Sequence, residues 1–407
     1  MGAGYEQAKA LDERYVIPTF SRKVVQFTRG QGTRLIDDEG AEYIDFLAGI
    51  GVVSVGHCNE EVVSAIQQQA ETLIHVGNYF HIERRGQLSQ RIAGMLAAGD
   101  ERADWKLFYA NSGAEANEGA IKLARLWGNT ELSGAAGIIT ATSSFHGRTL
   151  ASLAATGQPA LHAGFEPLPA GFGFVPLNDI DALEAALDGS VGGCAPCAVM
   201  LECIQGEAGV WPCTEEYLHA ARELTAERGM LLICDEVQTG FCRTGEYFAF
   251  QGYGICPDIV SMAKGIADGV PMGAFAARDD VAALMVPGTH GSTFGGSNIA
   301  CAAADATTRI MCEPGFLEHV QRTGAYTRER IAELPFVTDV RGRGLMIGFT
   351  LARPVAARLV DAGLAHGFVL NAPAGDIIRL LPPLVITRDD IDALIDALPA
   401  LYEEACS

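Results

Sequence analysis

The chain contains 407 residues, and its 29 basic and 50 acidic side chains give a formal net charge of −21 at pH 7. Apolar residues make up 49% and charged residues 19% of the sequence, which excludes a mainly disordered chain and allows a large buried core. The acidic balance, with no basic run that carries interleaved aromatic residues, argues against nucleic acid as a partner.

We expect neither a membrane-spanning segment nor an export signal in this sequence. No stretch reaches 18 consecutive apolar residues, so we predict no transmembrane helix. Glu6, Lys9 and Asp12 lie where a signal peptide would have its apolar segment. The 11 cysteines are scattered and odd in number, which favours reduced thiols. We therefore expect a cytoplasmic protein with no membrane partner, and we predict no metal site.

The first predicted elements form a small antiparallel meander over residues 24–47, with turn signals at 29–32 and 37–40. Short apolar runs then alternate with helical patterns. Runs of about five residues, apolar on both faces, are typical of buried parallel strands joined by crossover helices. The strands are predicted at 106–110, 137–141, 198–201, 230–234 and 259–263, and the clearest helices at 114–127, 179–188 and 215–228.

The C-terminal part has a different pattern. From about residue 305, helices predicted at 316–333, 353–366 and 388–405 frame strands near 345–351 and 377–381. We predict an α/β protein with a mainly parallel central sheet in a large domain over residues 50–300. A smaller α+β domain would be built from both termini, residues 1–49 and 301–407.

Polar residues follow predicted strands at the edge where open α/β sheets bind ligands. Segment 111–117 (NSGAEAN) follows the strand that ends at residue 110. Free N–H groups at the start of its helix, with the Ser112 hydroxyl, would bind an anion. Taken alone, a Ser-Gly pair before a helix is more often only an N-cap.

Asp235 and Lys264 follow the next strands along this edge. Asp235 needs a positive or hydrogen-bond-donating partner, and a protonated ring nitrogen would suit it, although a metal-binding or N-capping aspartate is an equal alternative. Lys264, if desolvated, is a candidate nucleophile, although a solvated surface lysine is the more common case. Together with the anion site, these groups match the phosphate, ring nitrogen and aldehyde of pyridoxal 5′-phosphate (PLP).

Seven segments then carry recognisable motifs: 111–125 (NSGAEANEGAIKLAR), 145–149 (FHGRT), 202–210 (ECIQGEAGV), 235–245 (DEVQTGFCRTG), 261–265 (SMAKG), 291–296 (GSTFGG) and 371–384 (NAPAGDIIRLLPPL). In this order they resemble the class III, fold-type I aminotransferases, and among these the acetylornithine aminotransferases. The resemblance extends over residues 15–398. It implies the fold-type I fold of PLP-dependent transferases.

The resemblance also implies roles at the cofactor. Lys264 would bind PLP covalently and then move protons as base and acid, and Asp235 would keep the pyridine nitrogen protonated. The remaining cofactor contacts would be Ser112, Gly113 and Ala114 at the phosphate, Phe145 and Val237 on the two ring faces, Gln238 at the phenolic oxygen, and Thr293 at the phosphate of the neighbouring subunit. The last contact implies a homodimer with shared active sites.

Substrate contacts follow from the same resemblance. Arg148 would bind the carboxylate far from the reacting amine, and Arg379 the α-carboxylate of glutamate and 2-oxoglutarate. Glu207 would pair with Arg379 when the donor lacks that carboxylate, so that no buried charge is left alone. Taken alone, either arginine would more often belong to a structural ion pair. Phe20, Ile50 and Ser292 complete the predicted substrate-binding residues.

The sequence departs from the family pattern at four places. Cys203 replaces a usual proline, and Ala267-Asp268-Gly269 stands where a glycine-rich run is usual. Ser297 stands where asparagine usually follows two glycines, and segment 78–81 (NYFH) differs from the common form.

The predicted donor is N-acetylornithine, with 2-oxoglutarate as acceptor, a reaction of arginine biosynthesis. Ornithine aminotransferases usually carry tyrosines that receive the free α-ammonium group, whereas Phe20 and Ile50 at the aligned positions have no hydroxyl. A buried ammonium without acceptors is disfavoured by about 1 kcal/mol or more. Succinylornithine, 4-aminobutyrate and ornithine stay open as donors, and a PLP-dependent aminomutase is the alternative enzyme class.

Overall fold

The structure is a computed structural model that describes residues 3–98 and 104–407. Residues 1–2 and 99–103, which belong to the predicted domains, lie outside this description. The helices are α1 (Ala3–Tyr15), α2 (Ala48–Gly51), α3 (Glu60–Thr72), α4 (Glu83–Leu96), α5 (Gly113–Glu131), α6 (Leu150–Ala155), α7 (Ile180–Leu187), α8 (Glu215–Glu227), α9 (Asp279–Ala282), α10 (Asn298–Met311), α11 (Phe316–Ala332), α12 (Ala356–Ala365) and α13 (Arg388–Cys406). Short 3₁₀ turns span Pro159–Leu161, Ala249–Tyr253 and Lys264–Ala267.

The strands are β1 (Phe27–Gln31), β2 (Arg34–Asp37), β3 (Glu42–Asp45), β4 (Trp105–Ala110), β5 (Gly137–Ala141), β6 (Phe172–Val175), β7 (Pro196–Leu201), β8 (Ile204–Gln205), β9 (Trp211–Pro212), β10 (Leu231–Asp235), β11 (Ile259–Met262), β12 (Gly273–Arg278), β13 (Val337–Arg343), β14 (Met346–Leu351), β15 (Phe368–Val369), β16 (Asn371–Ala374) and β17 (Ile377–Leu380). Within the described residues, no helix is long and apolar enough to cross a membrane.

A seven-stranded sheet in the order β4-β12-β11-β10-β7-β5-β6 forms the centre of the molecule. Its strands β6, β5, β7, β10 and β11 are parallel, which confirms the mainly parallel sheet. Strand β12 is antiparallel to both neighbours, so β4 and β11 run in the same direction. All five predicted strands are present, each shifted by no more than two residues at either end. Strands β6 and β12 were not predicted.

Small residues allow helix α5 to lie close against this sheet. Ala116, Ala120 and Ala124 are fully buried along one face of the helix, as its 3.6-residue period predicts. A Cβ atom added to Gly119 would lie only 2.3 Å from Cε1 of Phe275 on β12. The close approach fixes the start of α5, and hence segment 111–117, at the edge of the sheet.

Two smaller sheets involve the terminal parts of the chain. Strands β1, β2 and β3 form the predicted antiparallel meander, and β15 from the C-terminal part pairs in parallel with β3. The second sheet has the order β13-β14-β17-β16, and the three helices predicted in this region are α11, α12 and α13. The pairing of β15 with β3 supports one unit built from both termini. The boundaries after residues 49 and 300 remain predictions.

Candidate active site

A cavity of about 360 Å³ lies at the sheet edge where β4, β10 and β11 end. Ligand sites in open α/β sheets lie at this carboxyl edge. Ten of the predicted site residues line the cavity: Ser112, Gly113, Ala114, Phe145, Arg148, Glu207, Asp235, Val237, Gln238 and Lys264. The structure therefore brings the anion-binding segment, the acid and the lysine into one space.

Lys264 lies two residues after the end of β11, in a left-handed conformation with φ of +46°. Burial lowers the pKa of its amine to about 8, and the nearby charge of Arg379 acts in the same direction, whereas the carboxylate of Glu207 opposes the shift. At neutral pH a larger fraction of this amine is therefore neutral than for an exposed lysine. A neutral amine is the form that attacks a carbonyl carbon.

Asp235 ends β10 and is 3% exposed. Its Oδ2 atom lies 2.7 Å from Nδ1 of His146 and accepts a hydrogen bond from the Asn117 amide at 2.8 Å. Burial lowers the pKa of His146, but the hydrogen bond and charge of Asp235, with the charge of Glu202, outweigh it and raise that pKa above its ordinary value. The carboxylate of Asp235 is thus held by two buried side chains.

Glu202 lies just after β7 and also lines the cavity. Its carboxylate accepts hydrogen bonds from the backbone N–H groups of Phe145, at 2.9 Å, and Gly206, at 3.1 Å. Burial raises the pKa of Glu202 to about 7, although His146 and the two N–H donors lower it. Glu202 therefore ties segment 145–148 to the segment that leads to Glu207.

The start of α5 forms the predicted anion-binding segment. Ser112 caps the helix, with its hydroxyl accepting from the Glu115 N–H at 3.2 Å. The N–H groups of Gly113 and Ala114 have no acceptor within the helix because of their position in its first turn. A Cβ atom on Gly113 would lie 2.6 Å from Cγ1 of Val237, so glycine is required for this close approach.

Glu207 and Arg379 form a buried ion pair at the side of the cavity. The Arg379 guanidinium, 2% exposed on β17, donates to Glu207 at 2.7 and 3.5 Å. Gln238 donates its amide N–H to Glu207 at 3.1 Å and accepts from Arg379 at 3.2 Å. Burial raises the pKa of Glu207, but the charge and hydrogen bonds of Arg379 outweigh it and lower that pKa below its ordinary value. The carboxylate of Glu207 is therefore ionised and paired with Arg379 at neutral pH.

Arg148 lies at the opening of the same cavity and is exposed. Its guanidinium carbon is 5.3 Å from the centroid of the Phe145 ring, within cation–π distance. Among the described residues, no carboxylate forms an ion pair with Arg148. The cavity thus has one paired arginine at its side and one unpaired arginine at its mouth.

The model of the family "Aminotransferase class-III" matches residues 18–401, nearly the whole chain. This chain belongs to the class-III aminotransferase family. An acetylornithine aminotransferase from Caldanaerobacter subterraneus subsp. tengcongensis is 44% identical over 97% of this chain and 98% of its own length. The Bacillus subtilis acetylornithine aminotransferase is 43% identical over 93% and 95%.

Solved structures give the same family. The ornithine aminotransferase of Toxoplasma gondii superposes with a TM-score of 0.90 at 33% identity, over 98% of this chain and 96% of its own. The N-acetylornithine aminotransferase of Stenotrophomonas maltophilia has a TM-score of 0.81 at 32% identity, over 97% and 98%. The fold is therefore that of the PLP-dependent class-III aminotransferases, as predicted.

Class-III aminotransferases use PLP, and the residues of this cavity fit that cofactor. A buried carboxylate suits a protonated ring nitrogen, the first N–H groups of α5 suit a phosphate, and the Lys264 amine suits an aldehyde. The distance between Gly113 and Val237 leaves no room for a side chain in the cradle. The carboxylate, the N–H groups and the amine therefore agree with the cofactor that the family uses.

Five predicted site residues of this class-III enzyme do not line the cavity, and one of them, Arg379, lies beside it in an ion pair with the lining residue Glu207. Phe20 is 76% exposed and lies beside α1, and Ile50 is 41% exposed, two residues before the lining residue Val52. Ser292 and Thr293 line a separate depression next to the start of α5. Their contacts with substrate or with a neighbouring subunit's phosphate remain predictions.

Asn117, His146 and Glu202 were assigned no role from the sequence, although all three line the cavity. His146 lies inside the 145–149 motif, and Asn117 lies one helical turn after Gly113, facing the same side. Glu202 directly follows a buried parallel strand, as Asp235 ends one. A search for every polar residue at the carboxyl ends of the strands would have found Glu202, but not its partners.

Proposed function

We propose that this aminotransferase transfers the δ-amino group of N-acetylornithine to 2-oxoglutarate, giving N-acetylglutamate 5-semialdehyde and glutamate, as a step of arginine biosynthesis. The observation that carries the proposal is the ion pair between Glu207, which lines the cavity, and Arg379 beside it. Relatives named acetylornithine aminotransferase, at 42–44% identity over nearly the full length, support the choice of substrate.

Lys264 and Asp235 would carry out the chemistry common to both half-reactions. PLP, when bound, withdraws electrons from the substrate carbon that loses a proton. Lys264 would hold the cofactor and, once displaced by the substrate amine, move that proton with its Nζ atom, for which a pKa of about 8 is well placed. Asp235, held by His146 and Asn117, would keep the ring nitrogen protonated.

The pair of Glu207 and Arg379 allows one cavity to accept two kinds of substrate. N-Acetylornithine has no carboxylate beside its reacting carbon, and the closed pair then leaves no buried charge uncompensated. 2-Oxoglutarate has such a carboxylate, which would replace Glu207 as the ion-pair partner of Arg379. Because Glu207 has a side chain that is 31% exposed, it has room to swing away while Arg379, at 2%, stays in place.

Arg148 would bind the carboxylate at the far end of either substrate. It is unpaired among the described residues and lies at the mouth of the cavity, so its charge is available to an anion. Because this end of the cavity is positive, an acylated amine is favoured there over a free ammonium group. The apolar Val52 in the cavity wall, two residues after Ile50, supports the same preference.

The likeness of fold does not separate the donors. The Toxoplasma gondii ornithine aminotransferase has the higher TM-score, 0.90 against 0.81, but the identities of 33% and 32% are nearly equal. Substrate choice therefore depends on the few side chains at the mouth of the cavity, and the sequence relatives carry more weight.

We further propose a homodimer in which Thr293 reaches the phosphate site of the partner copy. Thr293 is exposed and lies outside its own chain's cavity. Beside it, Phe294 is 63% exposed and Tyr79 is 99% exposed, and Asn78 joins their two segments by donating to the Ser292 carbonyl at 2.7 Å. Such aromatic exposure is typical of an interface.

An assay with a set of amino donors tests the function directly. The purified enzyme with PLP is assayed with N-acetylornithine, N-succinylornithine, ornithine and 4-aminobutyrate, each with and without 2-oxoglutarate. We expect the highest kcat/KM with N-acetylornithine and no turnover when 2-oxoglutarate is omitted. A preference for ornithine would refute the proposed donor, and turnover without any 2-oxo acid would indicate an aminomutase.

A further inference from the structure

A left-handed turn lies directly before the cavity residue Val52. In α2 (Ala48–Gly51) all four residues have positive φ, from +49° at Ala48 to +72° at Gly51. Ile50, a β-branched residue, has φ of +69°, a conformation that such side chains rarely adopt. A strained turn of this kind persists only where the surrounding structure holds it.

Two carboxylates, Asp45, which is buried, and Asp268, which is half-buried, hold the turn at its two ends. Before it, Asp45 accepts a hydrogen bond from the N–H of Ala48 at 2.8 Å. After it, Asp268 accepts from the N–H of Val55 at 2.9 Å and also from the N–H of Ser54. The second anchor comes from a remote part of the chain, 213 residues after Val55.

Asp268 connects the turn to the reacting lysine. It directly follows the 3₁₀ turn Lys264–Ala267 and has a left-handed φ of +46°. A Cβ atom on Gly265 would lie 2.7 Å from the hydroxyl of Ser54, so the two backbones are in close contact at this point. The family usually has glycine in this run, and glycine would supply the backbone conformation but no carboxylate.

The same segment also contacts the chain beyond Arg379. The Ser54 carbonyl accepts from the N–H of Leu384, and the Phe46 carbonyl from the N–H of Leu381, both at 2.8 Å. Residues 46–55 therefore lie between the lysine turn and the segment that follows strand β17, which carries Arg379. Val52 is the part of this segment that reaches the cavity.

We propose that Asp268 is a positioning residue: it holds the left-handed turn and Val52 against the Lys264 turn and thereby fixes the cavity wall that contacts the carbon chain of the substrate. The proposal rests on the aminotransferase function but requires no particular donor. It assigns a role to one of the places where this sequence departs from the family pattern.

Burial raises the pKa of Asp268 to about 6, although the N–H groups of Val55 and Ser54 and the charge of His57 lower it. Among the described residues, the charged group that acts on Asp268 is His57, whose Nε2 lies 2.7 Å from Asp45, and Lys264 begins the 3₁₀ turn that Asp268 follows. Above pH 7 the carboxylate is ionised and accepts both hydrogen bonds. As the pH falls through 6, protonation weakens the anchor, so the KM for substrate should rise.

The test uses Asp268→Gly, which keeps the left-handed backbone and removes the anchor, and Asp268→Asn, which tolerates the same φ and keeps one acceptor oxygen but does not titrate. Asp181→Asn, at an exposed position on α7, is the control. We expect Asp268→Gly to raise the KM for N-acetylornithine about tenfold at pH 8, the factor for one hydrogen bond to a charged acceptor. Its kcat should stay within about twofold.

Hydrogen exchange supplies a measurement that is independent of turnover. In Asp268→Gly, with or without PLP, amides of a peptide covering residues 52–56 should exchange faster than in the wild type. Asp268→Asn should restore most of the KM at pH 8 and lose the rise in KM below pH 6. Unchanged KM and exchange in Asp268→Gly would overturn the proposal, as would a loss of kcat alone.

Two further outcomes are also decisive. If Asp268→Gly does not fold, the pH profile of Asp268→Asn decides, and a rise in KM below pH 6 equal to that of the wild type would refute the role of Asp268. If the wild type does not accept N-acetylornithine, the proposed donor fails instead. The same comparison is then made in the half-reaction with glutamate, which keeps the two failures distinct.

Discussion

Replacement of Glu207 by glutamine should separate the two half-reactions. The variant keeps an amide oxygen near Arg379 but loses the negative charge that lies 2.7 Å from the guanidinium. With N-acetylornithine bound, nothing replaces that charge, so the half-reaction with the donor should slow. With 2-oxoglutarate bound, the substrate carboxylate pairs with Arg379, so the second half-reaction should be preserved.

The size of the effect follows from the burial of the two groups. Leaving one partner of a buried ion pair alone costs about 3–5 kcal/mol. Here glutamine keeps one hydrogen bond, and the Glu207 side chain is 31% exposed, so water offsets part of the cost. We therefore expect a loss of about 1.5–3 kcal/mol, the value of a hydrogen bond to a charged group, or roughly 10- to 100-fold in the rate of the donor half-reaction.

Single-turnover absorbance changes of the cofactor measure each half-reaction separately. Glu223→Gln, at an exposed position on α8, is the matched control and should change neither rate. Arg379→Ala should give the reverse pattern, with the larger loss in the half-reaction with 2-oxoglutarate. Equal losses in both half-reactions, for either variant, would refute the reasoning that the ion pair opens for one substrate and closes for the other.

Three other predictions concern the cofactor. Lys264→Ala should abolish both turnover and the absorbance band of covalently bound PLP, and retention of both would contradict the assigned role. Burial lowers the pKa of Lys264 to about 8, so the rate at which the apoenzyme captures PLP should fall by about tenfold per pH unit below pH 7 and become constant above pH 9. Stopped-flow absorbance measures this rate. A pH profile with its inflection near 10.5 would argue against a desolvated amine. Gly113→Ala would place a Cβ atom 2.6 Å from Val237, so the Kd for PLP, measured by titration of the apoenzyme, should rise at least about tenfold, whereas an unchanged Kd would show that Val237 yields.

The elements that could be predicted are those whose pattern is local. Five strands were found because each contains a short, almost wholly apolar run, and their ends differ from the structure by no more than two residues. Strand β12, with the sequence GAFAAR, has no β-branched residue and only weak strand propensity. Its conformation depends on the two neighbours between which it lies, so propensity could not reveal it.

The site was predictable to a similar degree. The positions of Ser112, Asp235 and Lys264 after strands were enough to predict one cavity, since parallel strands place their carboxyl ends at one edge. The partners of Asp235 were not predictable, because His146 lies 89 residues earlier in the chain and its contact depends on how segment 145–148 folds over the sheet. The hydrogen bond from the Val55 N–H to Asp268 was not predictable for the same reason, since the two residues are 213 positions apart.

The sequence by itself determined the family, the mainly parallel sheet and the position of the candidate lysine after its strand, because hydrophobic periodicity and short motifs are written along the chain. Only the tertiary structure decided which charges meet. Arg379 and Glu207 are 172 residues apart, and a guanidinium with 2% exposure needs acceptors that only folding supplies, here the carboxylate of Glu207. That meeting depends on where strand β17 lies relative to Glu207, and no local pattern contains it.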